Sequence, residues 1–558
     1  MTTAAPPRTF KILAADKLAP EGLAAIESEP DAELVNKPGL TEAEYADLLA
    51  AGGIEAMIVR SGIQVTPAML ENPGDLKVIA RAGVGVDNID LPAATAKGIV
   101  VVNTAEASTL TTAEHAFALM MALARNIGPA YRRMTEGGWD RSKFQGRQLA
   151  GKKLGVVGFG RIGRAVAERA LAFEMDVAAF DPVYPHATAL DGRVKMVSDF
   201  QELIPTCDIL TFHVPLNDHT RGMLGDDAFG KCKKGVMVVN AARGGVVDEQ
   251  AVLRALDSGQ CGGAALDVFT SEPPPEDSPL RSHPKLLVTP HLGASTKEAQ
   301  QAVSVDAAAA CLAFLRGQGV RGAVNAPGLR VDLDPTQKVF VDLASRMGSL
   351  LAPMITRGMA RVEVEACGET PASIASMIQR SALVGLLTPH LADPVNLVNA
   401  ASVAEARGIE LRTVESDQPG ARGPHVVVTV HPPRGADTDP AHPADRTRRI
   451  VGQVFDDLRP RVVEINGYAM DMVPEGPMMI LLNEDRPGMI GLVGREMGEA
   501  GVNIADMTIS RRTGSDGQRN ALQVLKLDEP APPAVLEQMA RQPGIDKVAQ
   551  VVLGPAPK

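Results

Sequence analysis

Apolar runs and glycine-rich turns alternate along the first 325 or so residues of the chain. FKILAAD (10–16), EAMIVRSG (55–62) and LKVIARAGVGVDNID (76–90) each place an apolar segment before a turn, which is typical of buried strands. Helical stretches lie between them, and TEAEYADLLAAGG begins with Thr41, a plausible N-cap, and ends on glycines. The alternation resumes over residues 153–289. The pattern predicts a parallel α/β architecture for this part of the chain.

One predicted helix in this region has almost no polar face. TTAEHAFALMMALARNI (111–127) follows capping residues and is apolar nearly all round. A helix with this pattern is expected to be buried against other elements or against another subunit.

The rhythm changes after Asn325. APGLRVDLDP (326–335) resembles a linker, and a less regular segment extends to about Gly476. It contains PPRGADTDPAHPADRTRR (432–449), a polar and proline-rich run that predicts a flexible loop. The last 80 residues read as strand, helix, strand, strand, helix, strand. That βαββαβ order predicts a ferredoxin-like unit.

Composition narrows the function classes. A chain of 558 residues predicts two to four domains. The net charge of −11 argues against a nucleic-acid partner. Five cysteines without a CxxC pair predict buried thiols in a reducing compartment, with no metal site. Neither a signal core nor a membrane-spanning run is found, so a cytoplasmic protein with no membrane partner is expected.

A candidate dinucleotide loop lies in KKLGVVGFGRIGRAVAERALAF (152–173), which contains Gly158, Gly160 and Gly163 in a GxGxxG pattern. The pattern alone could be an ordinary glycine-rich turn. Here an apolar strand precedes it, an amphipathic helix follows it, and Asp181 ends the next strand. Backbone N–H groups and the helix N-terminus suit a pyrophosphate, while Asp181 suits ribose hydroxyls and disfavours a 2′-phosphate. The sequence therefore predicts NAD as the cofactor.

Three charged residues end apolar runs in the same region. Arg243 lies in VMVVNAARGGVVDE (236–249), Glu272 in AALDVFTSEP (264–273) and His291 in LLVTPHLG (286–293). Each alone could be a surface ion-pair partner, a solvated acid or an ordinary strand-end histidine. The carboxyl ends of strands in an open α/β sheet face the ligand crevice, so together they are expected to converge over the nicotinamide.

Their convergence would suit the oxidation of a 2-hydroxyacid. An imidazole can take the hydroxyl proton near neutral pH, and a neighbouring carboxylate orients it and favours its protonated form. A guanidinium can hold the adjoining carboxylate through two parallel hydrogen bonds. The predicted roles are base for His291, its acidic partner for Glu272 and substrate grip for Arg243.

GFGRIG, NAARGGVVDE, ALDVFTSEP and PHLGAST resemble the D-isomer-specific 2-hydroxyacid dehydrogenases. RAGVGVDNID, KFQGRQLAGKKLGVVG, GAALDVFTSEPP, HLGASTKEAQ, DPVNLVNA and RPRVVEINGYAMDMVPEG are similar to the long branch of that family. This branch oxidises 3-phospho-D-glycerate with NAD in the first step of L-serine biosynthesis. The resemblance implies two Rossmann-like parallel-sheet domains, an α+β intervening domain and a ferredoxin-like ACT domain. The implied ranges are 1–106 plus 299–328 for substrate binding, 107–298 for NAD binding, 331–476 for the intervening domain, which resembles an allosteric substrate-binding domain, and 478–558 for the ACT domain.

The resemblance also implies site residues. Arg243, Glu272 and His291 are the implied catalytic residues. The implied cofactor contacts are Val84, Gly158, Gly160, Arg161, Ile162, Gly163, Asp181, Val214, Ala241, Ala242, Arg243, Asp267, His291, Gly293 and Ala294. The implied substrate contacts, a basic patch for a phosphate, are Arg60, Ser61, Asn103, Arg141, Lys143 and Arg243. The implied L-serine contacts in the ACT domain are Asn483, Asp485 and Asn503.

Several alternatives stay open at this level. The basic residues could be solvated surface charges, and the last unit could serve dimerisation alone. The chain could be another D-2-hydroxyacid dehydrogenase of the glyoxylate or hydroxypyruvate reductase type, although these usually lack the two C-terminal domains. Formate dehydrogenases of similar fold carry glutamine in place of Glu272, so Glu272 argues against that activity. An NAD-sensing corepressor, which is a binding protein rather than an enzyme, is the alternative from a different class. A homo-oligomer is expected, by resemblance a tetramer.

Overall fold

The computed structural model describes residues 9–184, 188–320, 322–330, 332–355, 358–392, 394–433, 447–455, 457–513 and 519–556. Most of the polar run predicted to be a flexible loop, residues 434–446, lies outside the described residues. Among the helices of the described ranges, none is both long and apolar enough to cross a membrane.

The first unit is a five-stranded parallel sheet in the order β2-β1-β3-β4-β5. The predicted N-cap at Thr41 is confirmed, because its side chain and that of Glu44 form a reciprocal capping box. The elements are β1 (Phe10–Ala14), α1 (Pro20–Glu27), β2 (Ala32–Asn36), α2 (Glu42–Ala50), β3 (Ile54–Val59), β4 (Val78–Arg81), α3 (Leu91–Ala96) and β5 (Val100–Asn103).

The chain then crosses into the second unit through two helices, α4 (Thr109–Ala124) and α5 (Ile127–Thr135). The helix predicted over 111–127 is present, but it ends at Ala124 rather than at Ile127. Asn126 adopts a left-handed backbone conformation with φ 53°, which ends α4 and redirects α5. The burial predicted for α4 is confirmed within the subunit for most of its apolar side chains, including Phe117 and Met120.

The second unit is an eight-stranded sheet in the order β13-β12-β11-β10-β6-β7-β9-β8, parallel except for β8. Its elements are β6 (Lys153–Val157), α6 (Arg161–Ala172), β7 (Asp176–Phe180), β8 (Thr188–Ala189), β9 (Val194–Val197), α7 (Phe200–Leu203), β10 (Ile209–Phe212), α8 (Asp226–Lys231), β11 (Val236–Asn240), α9 (Glu249–Ser258), β12 (Cys261–Leu266) and β13 (Leu286–Val288). Both units therefore have the parallel α/β architecture that the alternating pattern predicted.

Helix α10 (Lys297–Leu315) returns the chain to the first unit. The Ser304 hydroxyl of α10 accepts a hydrogen bond from the Ala19 N–H at 3.1 Å, just before α1. Val303 and Ala307 of the same helix join the apolar core formed by Ile12, Ile26 and the strands β3 to β5. The first unit is thus built from two separate stretches of the chain, and the second unit is inserted between them.

The third unit is more regular than its sequence suggested. It contains a six-stranded mixed sheet in the order β15-β14-β16-β17-β18-β19, in which only β14 and β15 are parallel. Its elements are α11 (Pro335–Leu351), β14 (Arg361–Cys367), α12 (Glu369–Ala372), α13 (Ala375–Leu387), α14 (Ala400–Glu405), β15 (Glu410–Ser416), β16 (His425–His431), β17 (Arg448–Val454), β18 (Pro460–Ile465) and β19 (Tyr468–Met472).

Two glycines set the packing of α11 against α13. A Cβ at Gly348 would lie 2.2 Å from the Ala382 carbonyl oxygen, and one at Gly385 would lie 2.0 Å from that of Ser345. The helices approach so closely that neither position has room for a side chain.

The fourth unit is a four-stranded antiparallel sheet in the order β21-β22-β20-β23 with two helices. The predicted βαββαβ order is confirmed. Its elements are β20 (Gly476–Glu484), α15 (Met489–Glu499), β21 (Ile504–Thr513), β22 (Arg519–Leu527), α16 (Pro533–Ala540) and β23 (Ile545–Leu553).

Hydrogen bonds to main-chain carbonyls join the third unit to its neighbours. The Asn396 side-chain amide donates to the Gly98 carbonyl of the first unit at 2.9 Å. The buried Arg346 of α11 donates to the carbonyls of Pro474, Gly554 and Pro555, all within 2.7–2.8 Å. The third unit therefore contacts both the first unit and the C-terminal unit.

Candidate active site

The glycine loop lies where the strand order of the second sheet reverses, because β6 lies between β7 and β10. Gly158 has φ 91°, a conformation that favours glycine. A Cβ at Gly163 would lie 2.0 Å from the Gly158 carbonyl oxygen, so the start of α6 packs tightly on the loop. Gly160 has no atom within 4 Å of its Cβ position. The loop thus leaves open space in front of the α6 N-terminus, where a pyrophosphate fits.

Asp181 follows β7 and lies beside this loop. Its Oδ2 accepts a hydrogen bond from the Phe159 N–H at 2.8 Å, and its Oδ1 accepts one from the Val183 N–H at 2.9 Å. The carboxylate is partly exposed and has accepting capacity left for ribose hydroxyls. The geometry of the loop and of Asp181 fits a dinucleotide.

Arg243 reaches from the second unit to a loop of the first unit. Its Nε donates to Asp87 Oδ2 at 2.8 Å, and its Nη1 donates to the Ala242 carbonyl at 2.6 Å. A Cβ at Gly85 would lie 1.8 Å from Nη2, so the guanidinium lies against the Gly85 backbone. The buried Asn240 amide accepts from the Ala242 N–H and donates to the Arg243 carbonyl, which fixes this turn.

His291 and Glu272 form a direct pair. His291 Nδ1 lies 2.7 Å from Glu272 Oε2, and Glu272 Oε1 accepts a hydrogen bond from the Phe269 N–H at 3.0 Å. Partial burial raises the pKa of Glu272, but the hydrogen bonds from His291 and from the Phe269 N–H outweigh it and leave the pKa below its ordinary value. Glu272 is therefore ionised at neutral pH and accepts the Nδ1–H of the imidazole.

The loop that carries His291 is held by the buried carboxylate of Asp267. Oδ1 accepts hydrogen bonds from the Thr289 hydroxyl at 2.6 Å and from the Leu292 N–H at 2.8 Å, and Oδ2 accepts one from the Gly293 N–H at 2.9 Å. The His291 N–H donates to the Asp267 carbonyl at 2.8 Å. His291 itself has φ 54°, an uncommon conformation for a residue with a side chain.

A further partner of Asp267 was not predicted from the sequence. His115 Nε2, from α4, lies 3.1 Å from Asp267 Oδ1. Burial raises the pKa of Asp267, and the hydrogen bonds from His115, Thr289 and the Leu292 N–H more than offset this effect, so the net pKa is lowered. Its carboxylate is therefore charged and accepts all of these contacts.

Two of the predicted substrate contacts lie at the carboxyl ends of strands in the first sheet. Arg60 follows β3 and donates to the Lys17 carbonyl at 2.9 Å and to Gln300 Oε1. Asn103 ends β5 and donates to the Val84 carbonyl at 2.6 Å. Ser61 is exposed beside Arg60. These residues lie at the edge of the sheet that faces Arg243.

A third arginine, Arg81, ends β4, which lies between β3 and β5, and it was not predicted as a site residue. Its Nε is buried and has no hydrogen-bond partner among the residues that the structure describes. Burial, followed by the like charges of Arg243 and Arg60, lowers the pKa of Arg81 to about 10. The three guanidinium groups form a concentration of positive charge that suits an anionic ligand. Arg81 ends an apolar run as Arg243 does, so the same strand-end argument could have identified it.

Arg141 and Lys143 are not brought together with this cluster. They lie on a short 3-10 helix, Arg141–Phe144, and their side chains are exposed. Lys143 Nζ lies 3.9 Å from Asp140 Oδ2. In the described parts of the chain, no hydrogen bond or ion pair joins either residue to Arg60, Arg81 or Arg243.

The remaining predicted cofactor contacts lie on loops or at the start of α6. Arg161 Nη2 donates to Glu106 Oε1 at 2.7 Å, and the Ala294 carbonyl accepts from Gln300 Nε2 at 2.7 Å. A Cβ at Gly158 would lie 2.8 Å from Val214 Cγ1, so Val214 borders the glycine loop. The loops that follow the carboxyl ends of β4, β10, β11, β12 and β13 carry Val84, Val214, Ala241, Ala242, Asp267, Gly293 and Ala294, while Ile162 begins α6 beside Arg161.

The three predicted effector residues are all engaged within the fourth unit. Asn483 is buried; its amide donates to the Glu484 carbonyl at 2.7 Å and accepts from Gln523 Nε2 at 2.8 Å. Arg511 Nε lies 3.4 Å from Asp485 Oδ1. The Asn503 amide donates to Asp528 Oδ2 at 2.8 Å. Gln523 was not predicted.

No group of three or more His, Cys, Asp or Glu side chains that could hold a metal ion is found within the described ranges.

Two family models match the chain. Residues 117–293 match the model described as D-isomer specific 2-hydroxyacid dehydrogenase, NAD binding domain. Residues 336–466 match the model described as D-3-phosphoglycerate dehydrogenase intervening domain. The first match contains the glycine loop, Arg243, Glu272 and His291. The second match covers most of the third unit.

Curated relatives match over nearly the whole length. The D-3-phosphoglycerate dehydrogenase of Methanocaldococcus jannaschii is 38% identical over 544 residues, which cover 97% of this chain and 100% of the relative. That of Rattus norvegicus is 38% identical over 516 residues, 91% of this chain and 93% of the relative. A glyoxylate reductase structure from Paecilomyes thermophila is 30% identical with a TM-score of 0.52, covering 57% of this chain and 99% of that one. The similarity to the reductase thus leaves over two fifths of this chain unmatched.

Proposed function

The chain belongs to the D-3-phosphoglycerate dehydrogenases of the D-isomer specific 2-hydroxyacid dehydrogenase family, and we propose on that basis how its cleft works. It oxidises 3-phospho-D-glycerate to 3-phosphohydroxypyruvate with NAD, the first step of L-serine biosynthesis. The His291–Glu272 pair, at the same edge of the second sheet as the glycine loop, carries the proposal. Full-length similarity to these enzymes favours this substrate over those of the shorter glyoxylate reductases.

His291 acts as the base. Its Nδ1–H donates to the ionised Glu272, so Nε2 keeps a lone pair and can accept the substrate hydroxyl proton. The same bond holds the imidazole ring in one orientation and stabilises the imidazolium after proton transfer. When bound, NAD supplies the acceptor for the hydride that leaves the alcohol carbon.

The arginines hold the two anionic groups of the substrate. Arg243 is held by Asp87 and binds the carboxylate with its remaining N–H groups. Arg81 and Arg60 bind the phosphate, whose negative charge relieves the repulsion between the neighbouring guanidinium groups. Asn103 and Ser61 complete this side of the cleft.

NAD is held by the predicted glycine loop and Asp181. Gly158 and Gly160 allow close approach of the pyrophosphate to backbone N–H groups. Asp181 accepts hydrogen bonds from the adenosine ribose and repels a 2′-phosphate, which selects NAD over NADP.

The fourth unit is an ACT domain that binds L-serine and inhibits the enzyme. Asp485 suits the α-ammonium group, and Asn503 suits the carboxylate. Binding there requires Asp485 and Asn503 to leave Arg511 and Asp528, their present partners. Asn483 is buried, so it supports the site through its hydrogen bonds to Glu484 and Gln523 rather than by direct contact with serine. Inhibition follows if serine prefers an inactive arrangement by about 1–3 kcal/mol, the usual range of such couplings.

The enzyme is a homo-oligomer, and by resemblance a tetramer. Several large apolar side chains on α5 and on the segments before and after it are exposed, and exposed apolar side chains in this number are favourable only when covered. A second copy covers them, which also brings the exposed Arg141 and Lys143 into an interface. The exposed apolar residues are Leu110, Ile127, Tyr131, Met134 and Trp139.

We expect the enzyme to form NADH far faster from 3-phosphoglycerate than from D-glycerate. NADP in place of NAD should support little turnover. Replacing Arg81 by methionine removes a charge-assisted bond to phosphate, so kcat/KM for 3-phosphoglycerate should fall by about 10- to 100-fold. The value for D-glycerate should change much less. The matched control is Arg412→Met, which removes an exposed arginine of β15. Equal rates on the two acids in the unaltered enzyme would show that the cluster does not read phosphate.

L-serine should inhibit this reaction, whereas D-serine should not. Replacing Asp485 by asparagine removes the charge that pairs with the α-ammonium group, so about tenfold or more serine should be needed for half inhibition. The measurement is a serine titration in the steady-state assay. Full activity at several millimolar L-serine, about where weak regulatory sites saturate, would exclude the effector role.

Sedimentation at micromolar concentration should give a mass well above the 58.7 kDa of one chain. Replacing Tyr131 and Met134 together by glutamate places unpaired charges in the proposed interface and should yield smaller species. Phe455→Glu, at an exposed apolar residue outside the α5 surface, is the control and should not change the mass. A monomeric unaltered protein would rule out the second copy.

A further inference from the structure

Several hydrogen bonds tie the loop that carries His291 to Asp267. Thr289, Leu292 and Gly293, which flank His291, all donate to the Asp267 carboxylate, and the His291 N–H donates to its carbonyl. Asp267 is fully buried. The backbone around His291 therefore depends on this one carboxylate.

His115 is the only partner of this carboxylate, among those described, that comes from outside the loop. It lies on α4, more than 150 residues away in the sequence, and its Nε2 is 3.1 Å from Asp267 Oδ1. The same nitrogen lies 3.4 Å from the Thr289 hydroxyl. That hydroxyl donates its proton to Asp267, and an ionised carboxylate can only accept. Nε2 must therefore carry a hydrogen, which is directed at the pair formed by Asp267 Oδ1 and the Thr289 hydroxyl oxygen.

Helix α4 also contacts the loop beside His115. A Cβ at Gly293 would lie 3.4 Å from Thr112 Cγ2, and the Thr111 and Thr296 hydroxyl oxygens lie 3.4 Å apart. One face of α4 thus packs against the loop that carries His291. Within the described residues, no lysine or arginine forms an ion pair with Asp267, so the imidazole is its one basic neighbour.

We propose that His115 is a positioning residue for the hydride-transfer reaction. Its Nε2–H holds the Asp267 carboxylate against the loop and thereby keeps His291 Nε2 aimed at the substrate hydroxyl. His115 does not touch the reacting atoms and acts only through Asp267. The proposal rests on the proposed role of His291 as the base.

Two amide substitutions test it. The amide nitrogen of glutamine can occupy the place of Nε2, whereas that of asparagine occupies the place of Nδ1 and falls short of Asp267. We expect His115→Gln to keep kcat within about threefold and His115→Asn to lower it on the order of 10- to 100-fold, because small misplacements of a base are costly. The KM for 3-phosphoglycerate should change little, since the arginines hold the substrate anions.

NADH binding, followed by its fluorescence, and the melting temperature separate positioning from general damage. Both should stay close to those of the unaltered enzyme in both variants. Thr289→Val removes another donor to the same oxygen and should reproduce the loss of kcat, with less than additive effect when combined with His115→Asn. A His115→Asn enzyme of normal kcat would overturn the proposal. So would equal losses in the two amide variants, or a loss of kcat that only follows a lower melting temperature.

A failure of the proposed function gives a different result. If the unaltered enzyme does not oxidise 3-phosphoglycerate, the reference rate is missing and the function is wrong. If that rate is present and His115→Asn matches it, only the positioning role is wrong.

Discussion

In the proposed mechanism, the chemistry depends on the hydrogen bond between His291 Nδ1 and Glu272. It settles which imidazole nitrogen is free to accept a proton, and it provides the negative charge that balances the imidazolium. Both residues follow neighbouring strands of the second sheet, β12 and β13, so the pair forms at the edge where the glycine loop also opens. The sheet topology thus brings the proposed base and the glycine loop to the same edge.

A second constraint is the concentration of positive charge at the opposite side of the cleft. Burial and the like charges of Arg243 and Arg60 lower the pKa of Arg81 to about 10, although the chain as a whole is acidic. Burial of Arg81 with no partner for its Nε among the described residues is unfavourable unless an anion is bound. The repulsion among these arginines destabilises the free enzyme, and a bound substrate with two anionic groups relieves it and so binds more tightly.

Strand-end residues were the most predictable part of the site. Arg243, Glu272, His291 and Asp181 each end an apolar run, and the rule that such residues face the ligand crevice requires only local patterns. Asp87 and His115 were not predicted, because their proposed roles depend on contacts with residues distant in the sequence. Asp87 accepts a hydrogen bond from Arg243, which lies 156 positions further along the chain. Arg81 was available to the same rule and was overlooked. The six-stranded sheet of the third unit was underestimated because its strands differ in burial pattern, from the strict alternation of β14 to the continuously buried interior of β16. Its helix α13 is buried on nearly all sides and so lacks the usual polar face.

The most direct measurement of the central claim is the turnover number of the His291→Asn enzyme with 3-phosphoglycerate and NAD. A positioned base contributes about 10²- to 10⁴-fold, so kcat should fall by at least about 100-fold while NADH still binds. A Glu272→Gln enzyme should lose less, because its imidazole keeps the base but loses the charge partner. A His291→Asn enzyme that oxidises the substrate within twofold of the normal rate would contradict the account.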